Sequence, residues 1–402
     1  MKVSERFLKY VGFDTQSDPH SDTAPSSMKQ KKLGAFLVEE LKSFGLSAEM
    51  DEFGIVYSEI PANVENEVSI GLIAHMDTSP DCSGENIKPR IVRFDGQDIV
   101  LNEEKQIVMG LKEFPNLKRY IGDDLIVTDG ETLLGADDKA GIAIIMNTVE
   151  YLMSHPQVPH GRIGIAFTPD EEVGRGSEHF DVASFNCDFA YTIDGGEIDY
   201  IDYENFNAAS ADVLIHGKSI HPGSAKNKMI NAIHVAYEFH ACLDPFENPA
   251  YTEGYEGFNH LCSIQGECEC CKLEYIIRNH DQQLLEKQKQ EFILARDFLN
   301  KKYGYEIVEL NIQDSYANMR TLIEKDMRCV DRAVMAMKKL GIDAKHSAIR
   351  GGTDGASLTY QGLYTPNLGT GGENYHGRYE CVSIQAMEKM VEIVCEIVKS
   401  GN

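Results

Sequence analysis

The sequence has 402 residues, 42% of them hydrophobic and 25% charged, which suits two or three folded domains and argues against long disorder. Lys and Arg number 38 against 64 Asp and Glu, a formal charge of −26. A nucleic-acid backbone or an anionic bilayer repels such a chain, and its densest basic run, Lys29-Gln30-Lys31-Lys32, is short, so neither partner is expected. No run approaches the about 18 apolar residues of a membrane span. The first ten residues lack a signal-peptide core and read as an amphipathic helix. Ten cysteines at irregular spacing are too sparse for a disulfide scaffold, so reduced thiols and a cytoplasmic location are expected.

In chain order, Leu33, Phe36, Leu37, Leu41 and Phe44 recur at helical spacing, with Gly45 placed to end the helix. Residues 68–74, 162–168 and 188–193 read as buried strands, the second stopped by Pro169. Between the first two, Ile142, Ile145, Met146, Val149 and Met153 share one face of a helix over 141–153. Near-continuous apolar strands separated by helices predict an α/β sheet covered on both faces.

From about residue 207 the rhythm changes. A strand over 208–215 is followed by a helix over 230–243, strands over 260–267 and 273–278, a helix over 282–302 and a strand over 305–313. The order β-α-β-β-α-β is that of a ferredoxin-like α+β unit. Cys268, Cys270 and Cys271 crowd this region; with no second soft-metal knuckle nearby, they read as part of a strand. After 317 the α/β alternation returns and ends in a helix over 384–399. The expected organisation is an α/β domain formed by 1–206 and 317–402, with a smaller α+β domain, 207–316, inserted into it.

Five motifs carry chemistry. His75 and Asp77 follow a buried strand, where ligands of α/β sheets gather. Being two apart on extended backbone, they share a side: both bind one metal, or Asp77 holds the His75 imidazole from behind. Asp137 and Asp138 open a helix after Gly135-Ala136, placed to set a carboxylate against a cation. Glu171 and Glu172 follow another strand; on extended backbone they point oppositely, so one can ligate a metal while the other reaches water near it. Asp194 tips a third strand, and His376 lies among glycines that allow close backbone approach. Two imidazoles and several carboxylates without a thiolate suit a pair of borderline cations such as Zn²⁺.

In this order, His75-Met76-Asp77, Gly135-Ala136-Asp137-Asp138-Lys139, Thr168-Pro169-Asp170-Glu171-Glu172, Asp194-Gly195-Gly196 and the late His376 resemble the M20 metallopeptidases. The nearest resemblance is to the aminopeptidases of that family that act on tripeptides. Asp14-Thr15-Gln16-Ser17-Asp18, His221-Pro222-Gly223, Glu256-Gly257-Phe258, Tyr275-Ile276-Ile277-Arg278 and Arg350-Gly351-Gly352-Thr353-Asp354-Gly355 extend it from residue 14 to about 380.

The resemblance implies a zinc-peptidase-like α/β catalytic domain with an inserted ferredoxin-like lid that carries dimerisation, and two Zn²⁺ per chain. Asp137 would bridge them, His75 and Asp194 completing one site and Glu172 and His376 the other. Asp77 would orient His75, Glu171 would be the general base, and the Asp137–Asp138 peptide would be cis. His221 would stabilise the oxyanion; Arg278, Asn318 and Arg350 would hold substrate carbonyl or carboxylate groups. Two departures lie in the lid: Asn279 where an Asp is expected, and the cysteine cluster. A dipeptidase or a deacylase would use the same metal site and is the alternative function.

Overall fold

Every residue of Ile70–His75, Ile163–Thr168 and Phe189–Ile193 is buried, as strands apolar on both faces require. The computed structural model describes residues 1–401. It sets these strands parallel, with Ile70–His75 between the other two. Asn367–Leu368 extends the parallel set beside Phe189–Ile193. Antiparallel Val56–Ile60, Ala48–Met50 and Ile201–Asp202 complete a seven-stranded sheet. Because the central strands run one way, their carboxyl ends share one edge, where His75 pairs with Thr168.

The helix Ala136–Ser154 packs on Ile70–His75. Its first residues are not helical: Asp137 and Asp138 have ψ of 105° and 33°. Gly141 lies against the strand tip, and a methyl group there would run into the Ile193 carbonyl oxygen. Gly141→Ala is therefore expected to lower the unfolding free energy by about 1–3 kcal/mol, read as a lower denaturant midpoint at unchanged m-value.

A second, four-stranded sheet was not foreseen. It runs Gly372–Glu373, Cys381–Ser383, Asp124–Val127 and Arg90–Arg93, all antiparallel. Phe94, Leu117, Leu125, Val127 and Cys381 give it a core of its own. Its strands have two to four residues, too few for period-two alternation to register. It matters because the hairpin from Gly372–Glu373 to Cys381–Ser383 holds His376.

Glu204–Asn318 and Ala348–Gly352 form a separate compact unit, a few residues longer at each end than 207–316. Its antiparallel sheet runs Phe258–Gly266, Cys270–Asn279, Asn207–His216, Val308–Tyr316. The helices Ala232–His240 and Gln282–Tyr303 pack on it, and Val213, Leu273, Phe239 and Phe292 are fully buried between. This is the expected β-α-β-β-α-β order. The last strand starts three residues later than predicted, because the preceding helix ends on left-handed Gly304, φ 78°, and a turn from Tyr305 to Ile307 intervenes. Ala348–Ile349 joins the unit by parallel pairing with Glu204–Asn205. Cys270 and Cys271 pair with His216 and Ile215 in the sheet, and all ten cysteines are free. Among the described residues no helix is long and apolar enough to cross a membrane.

Candidate metal centre

His75 is the last residue of its strand and 2% exposed. Its Nε2 lies 2.8 Å from Asp137 Oδ1 and 3.9 Å from Asp194 Oδ1. Its Nδ1 faces Asp77, 3.1 Å from the carbonyl oxygen and 3.4 Å from Oδ1. The buried Asp77 carboxylate also accepts the Glu171 N–H at 3.0 Å and the Glu172 N–H at 3.1 Å, one on each oxygen. One side chain thus fixes an imidazole and the start of the Glu171–Val173 turn together.

That turn is a single 3₁₀ turn entered through left-handed Asp170, φ 62°. The two glutamates diverge because each residue of such a turn rotates by about 120°, not because the backbone is extended. Glu172 Oε2 lies 3.0 Å from His376 Nε2, while its Oε1 is buried without a partner. Glu171 bonds through its backbone, to Asp77 and Gly174; among the described residues nothing ties down its carboxylate.

Asp137 presents one oxygen to each imidazole, Oδ1 to His75 and Oδ2 to His376 Nε2 at 3.4 Å. The peptide to Asp138 is cis. Asp138 turns inward instead: its carboxylate accepts the N–H of His75 at 3.2 Å and of Gly141 at 3.3 Å. Ligand atoms of His75, Asp137 and Glu172 lie within 4.8 Å of one another, as do those of His75, Asp138 and Asp194.

Two contributors escaped sequence reasoning. Asp170, 3% exposed, accepts Ser26 N–H at 2.6 Å, Ser26 O–H at 2.5 Å and Gln30 Nε2–H at 2.7 Å. It pins the glutamate turn to a segment more than a hundred residues away. Asp81 Oδ2 lies 3.6 Å from His376 Nδ1, a looser counterpart of the Asp77–His75 contact. A proline-aspartate turn gave no signal of that role.

The electrostatics are those of a site short of positive charge. Burial would lower the His75 pKa, but hydrogen bonds to Asp137 and Asp77 override it and hold it well above the usual value. Bonds to Asp137 and Glu172 push His376 up to about 11. Burial, then the charge of Asp137, pushes Asp194 up to about 8, and burial pushes Glu172 up to about 7. The His75 and His376 ring nitrogens face carboxylate oxygens of Asp137 and Glu172 at 2.8–3.4 Å, and a dication between them would draw both kinds of lone pair inward. An orphaned buried Glu172 oxygen and an all-nitrogen-and-oxygen donor set fit Zn²⁺ or a similar ion.

The other four expected residues lie in the second unit. His221 caps the Pro222–Ser224 turn, its Nδ1 accepting the Gly223 N–H at 3.1 Å. Arg278 donates to the Ala209 and Ile277 carbonyls and lies over the Tyr316 ring. Arg350 donates to the Gly254 and Glu256 carbonyls at 2.7 and 2.8 Å and covers the Phe206 ring. Asn318 is buried; its N–H donates to Asn207 Oδ1 at 2.9 Å and its side-chain amide to the His280 carbonyl at 3.2 Å. The unexpected Asn279 is buried too and donates to Gln288.

A family model described as peptidase family M20/M25/M40 matches residues 129–400. The chain is 53% identical to peptidase T of Clostridium acetobutylicum, over 99% of this chain and 98% of that protein. It is 54% identical, at the same coverage, to peptidase T of Caldanaerobacter subterraneus subsp. tengcongensis. Among solved structures, an aminopeptidase from Bacillus cereus superposes with a TM-score of 0.77 at 22% identity, over 99% of this chain and 97% of the other. A dinuclear metal binding peptidase of the M20 family from Bacillus subtilis gives 0.64 at 14% identity, over 98% and 97%. At such identities these two speak for the fold alone.

Proposed function

The chain belongs to peptidase family M20/M25/M40 and is a peptidase, and on that premise we propose that it is an aminopeptidase releasing the N-terminal residue of tripeptides at a two-metal centre. The observation that carries the metal reading is Asp137, whose two oxygens face the imidazoles of His75 and His376. His75, Asp137 and Asp194 would hold one Zn²⁺, and Asp137, Glu172 and His376 the other. Bound Zn²⁺ supplies Lewis acidity toward water and the peptide carbonyl. Glu171 takes the proton of the attacking water and delivers it to the leaving amine. Asp77 keeps the His75 ring and the Glu171 backbone in register. The family resemblance adds His221 as a donor to the oxyanion and Arg278 as a grip on a substrate carboxylate. It likewise implies Asn318 and Arg350 as holders of substrate carbonyl or carboxylate groups, beside the backbone carbonyls each already bonds.

Tripeptide specificity rests on the relatives named peptidase T. Metal-stripped protein given back Zn²⁺ is expected to release the N-terminal residue of a tripeptide at least about tenfold faster than that of a di- or tetrapeptide, a difference of about 1.4 kcal/mol in barrier. Equal rates on all three would remove the length preference. Hydrolysis of N-acyl amino acids in place of peptides would favour the deacylase alternative. Ten free cysteines suit action in the cytoplasm. The family resemblance adds a homodimer through the second unit.

A further inference from the structure

Glu380 lies in the hairpin that carries His376, directly before the strand Cys381–Ser383, and is 2% exposed. A carboxylate so buried has to be partnered. Its partners are three backbone N–H groups of one remote segment. Leu134 at 2.6 Å and Gly135 at 2.8 Å donate to Oε2, and Asp137 at 3.0 Å donates to Oε1. Gly135 is left-handed, φ 78°, which turns successive N–H groups inward as a concave nest for an anion. The chain fills that nest with its own carboxylate. The segment held this way ends in Asp137, whose side chain faces both imidazoles. The same hairpin makes a second tie: Tyr375 Oη–H donates to the Gly195 carbonyl at 2.8 Å, one residue beyond Asp194.

We propose that Glu380 is a positioning residue of the metal centre: its carboxylate holds the Asp137 backbone at a set distance from the hairpin bearing His376, and so keeps the two metal positions in register. This rests on the two-metal reading above. The reason for a charged residue here is geometric. Two oxygens on one rigid carboxylate reach three donors at once, and a neutral amide would turn one of its own N–H groups against a donor. Since Asp137 belongs to both positions, its displacement affects both ions together, unlike the loss of a ligand to one of them.

The test titrates metal-free wild type and Glu380→Gln with Zn²⁺ alone, against a competing chelator, and follows thermal unfolding of both proteins without metal. The variant is expected to bind both ions about 10- to 100-fold more weakly, as loss of a residue supporting a ligand usually does, with its metal-free midpoint within about 5 °C of wild type. A residue that serves only the fold would do the reverse, lowering the midpoint and leaving both Zn²⁺ affinities unchanged, and that result overturns the proposal. If Glu380→Gln does not fold, Glu380→Asp decides on the same two measurements, since it keeps the charge and is too short for all three donors. Fewer than two Zn²⁺ on wild type would sink the two-metal reading itself, and this inference with it; two on wild type with unaltered affinities in the variant sinks the inference alone.

Discussion

Replacing Glu171 with alanine is expected to lower kcat by about 10²- to 10⁴-fold, the usual contribution of a positioned acid–base group, while two Zn²⁺ stay bound per chain. The two halves of that expectation come from different atoms. The Glu171 backbone, through its N–H to Asp77, holds the turn, and alanine keeps that bond. The carboxylate is the part with no bond to hold it, and it is not among the ligand atoms that converge on His75. Burial raises its pKa well above the ordinary carboxylate range. Glu171→Gln keeps the shape without the basicity and is expected to lose as much as alanine. Steady-state kinetics beside zinc analysis separates the alternatives. Wild-type turnover in either variant would remove the base assignment, and loss of zinc from Glu171→Ala would make the residue a ligand.

Much of the site could be read from sequence because its residues obey a positional rule. His75 ends a strand apolar on both faces, the Glu171–Glu172 pair and Asp194 each follow one, and the parallel order brings those ends to one edge. The second unit was legible for a related reason: Ala209–His216 alternates buried and half-buried positions, and the helices Ala232–His240 and Gln282–Tyr303 flank its strands. What stayed hidden depends on contacts through space. Nothing local tells Asp137 from Asp138; their difference comes from non-helical ψ values at both residues, which aim one carboxylate at the imidazoles and the other into the strand. Asp170 meets Ser26 across 144 residues and Glu380 meets Asp137 across 243, so no local stretch of sequence shows either contact. The second sheet went unseen because its Cys381–Ser383 strand pairs with Asp124–Val127, and no window of sequence contains both.

Asp137→Ala is expected to weaken both zincs on the order of 10²-fold or more, above the 10- to 100-fold typical of a supporting residue, and to leave no measurable peptide hydrolysis. On the proposed assignment, His376→Ala and Glu172→Ala are expected to release one ion and retain the other, because each would hold only one of the two. The asymmetry follows from the geometry: Asp137 alone turns separate oxygens to His75 and to His376. The chain itself is expected to fold without this side chain. Its segment is held by backbone N–H donation from Leu134, Gly135 and position 137 to Glu380, all of which alanine preserves. Removing Asp137 also takes a like charge from Asp194, whose pKa burial and that charge together push up to about 8. Lost zinc would therefore report on coordination, with unaltered circular dichroism of the metal-free variant as the control. Equilibrium dialysis followed by metal analysis gives the stoichiometry directly. An Asp137→Ala protein that keeps two ions would end the bridging assignment, and one that keeps a single ion would confine Asp137 to one position, with the other built from the remaining carboxylates.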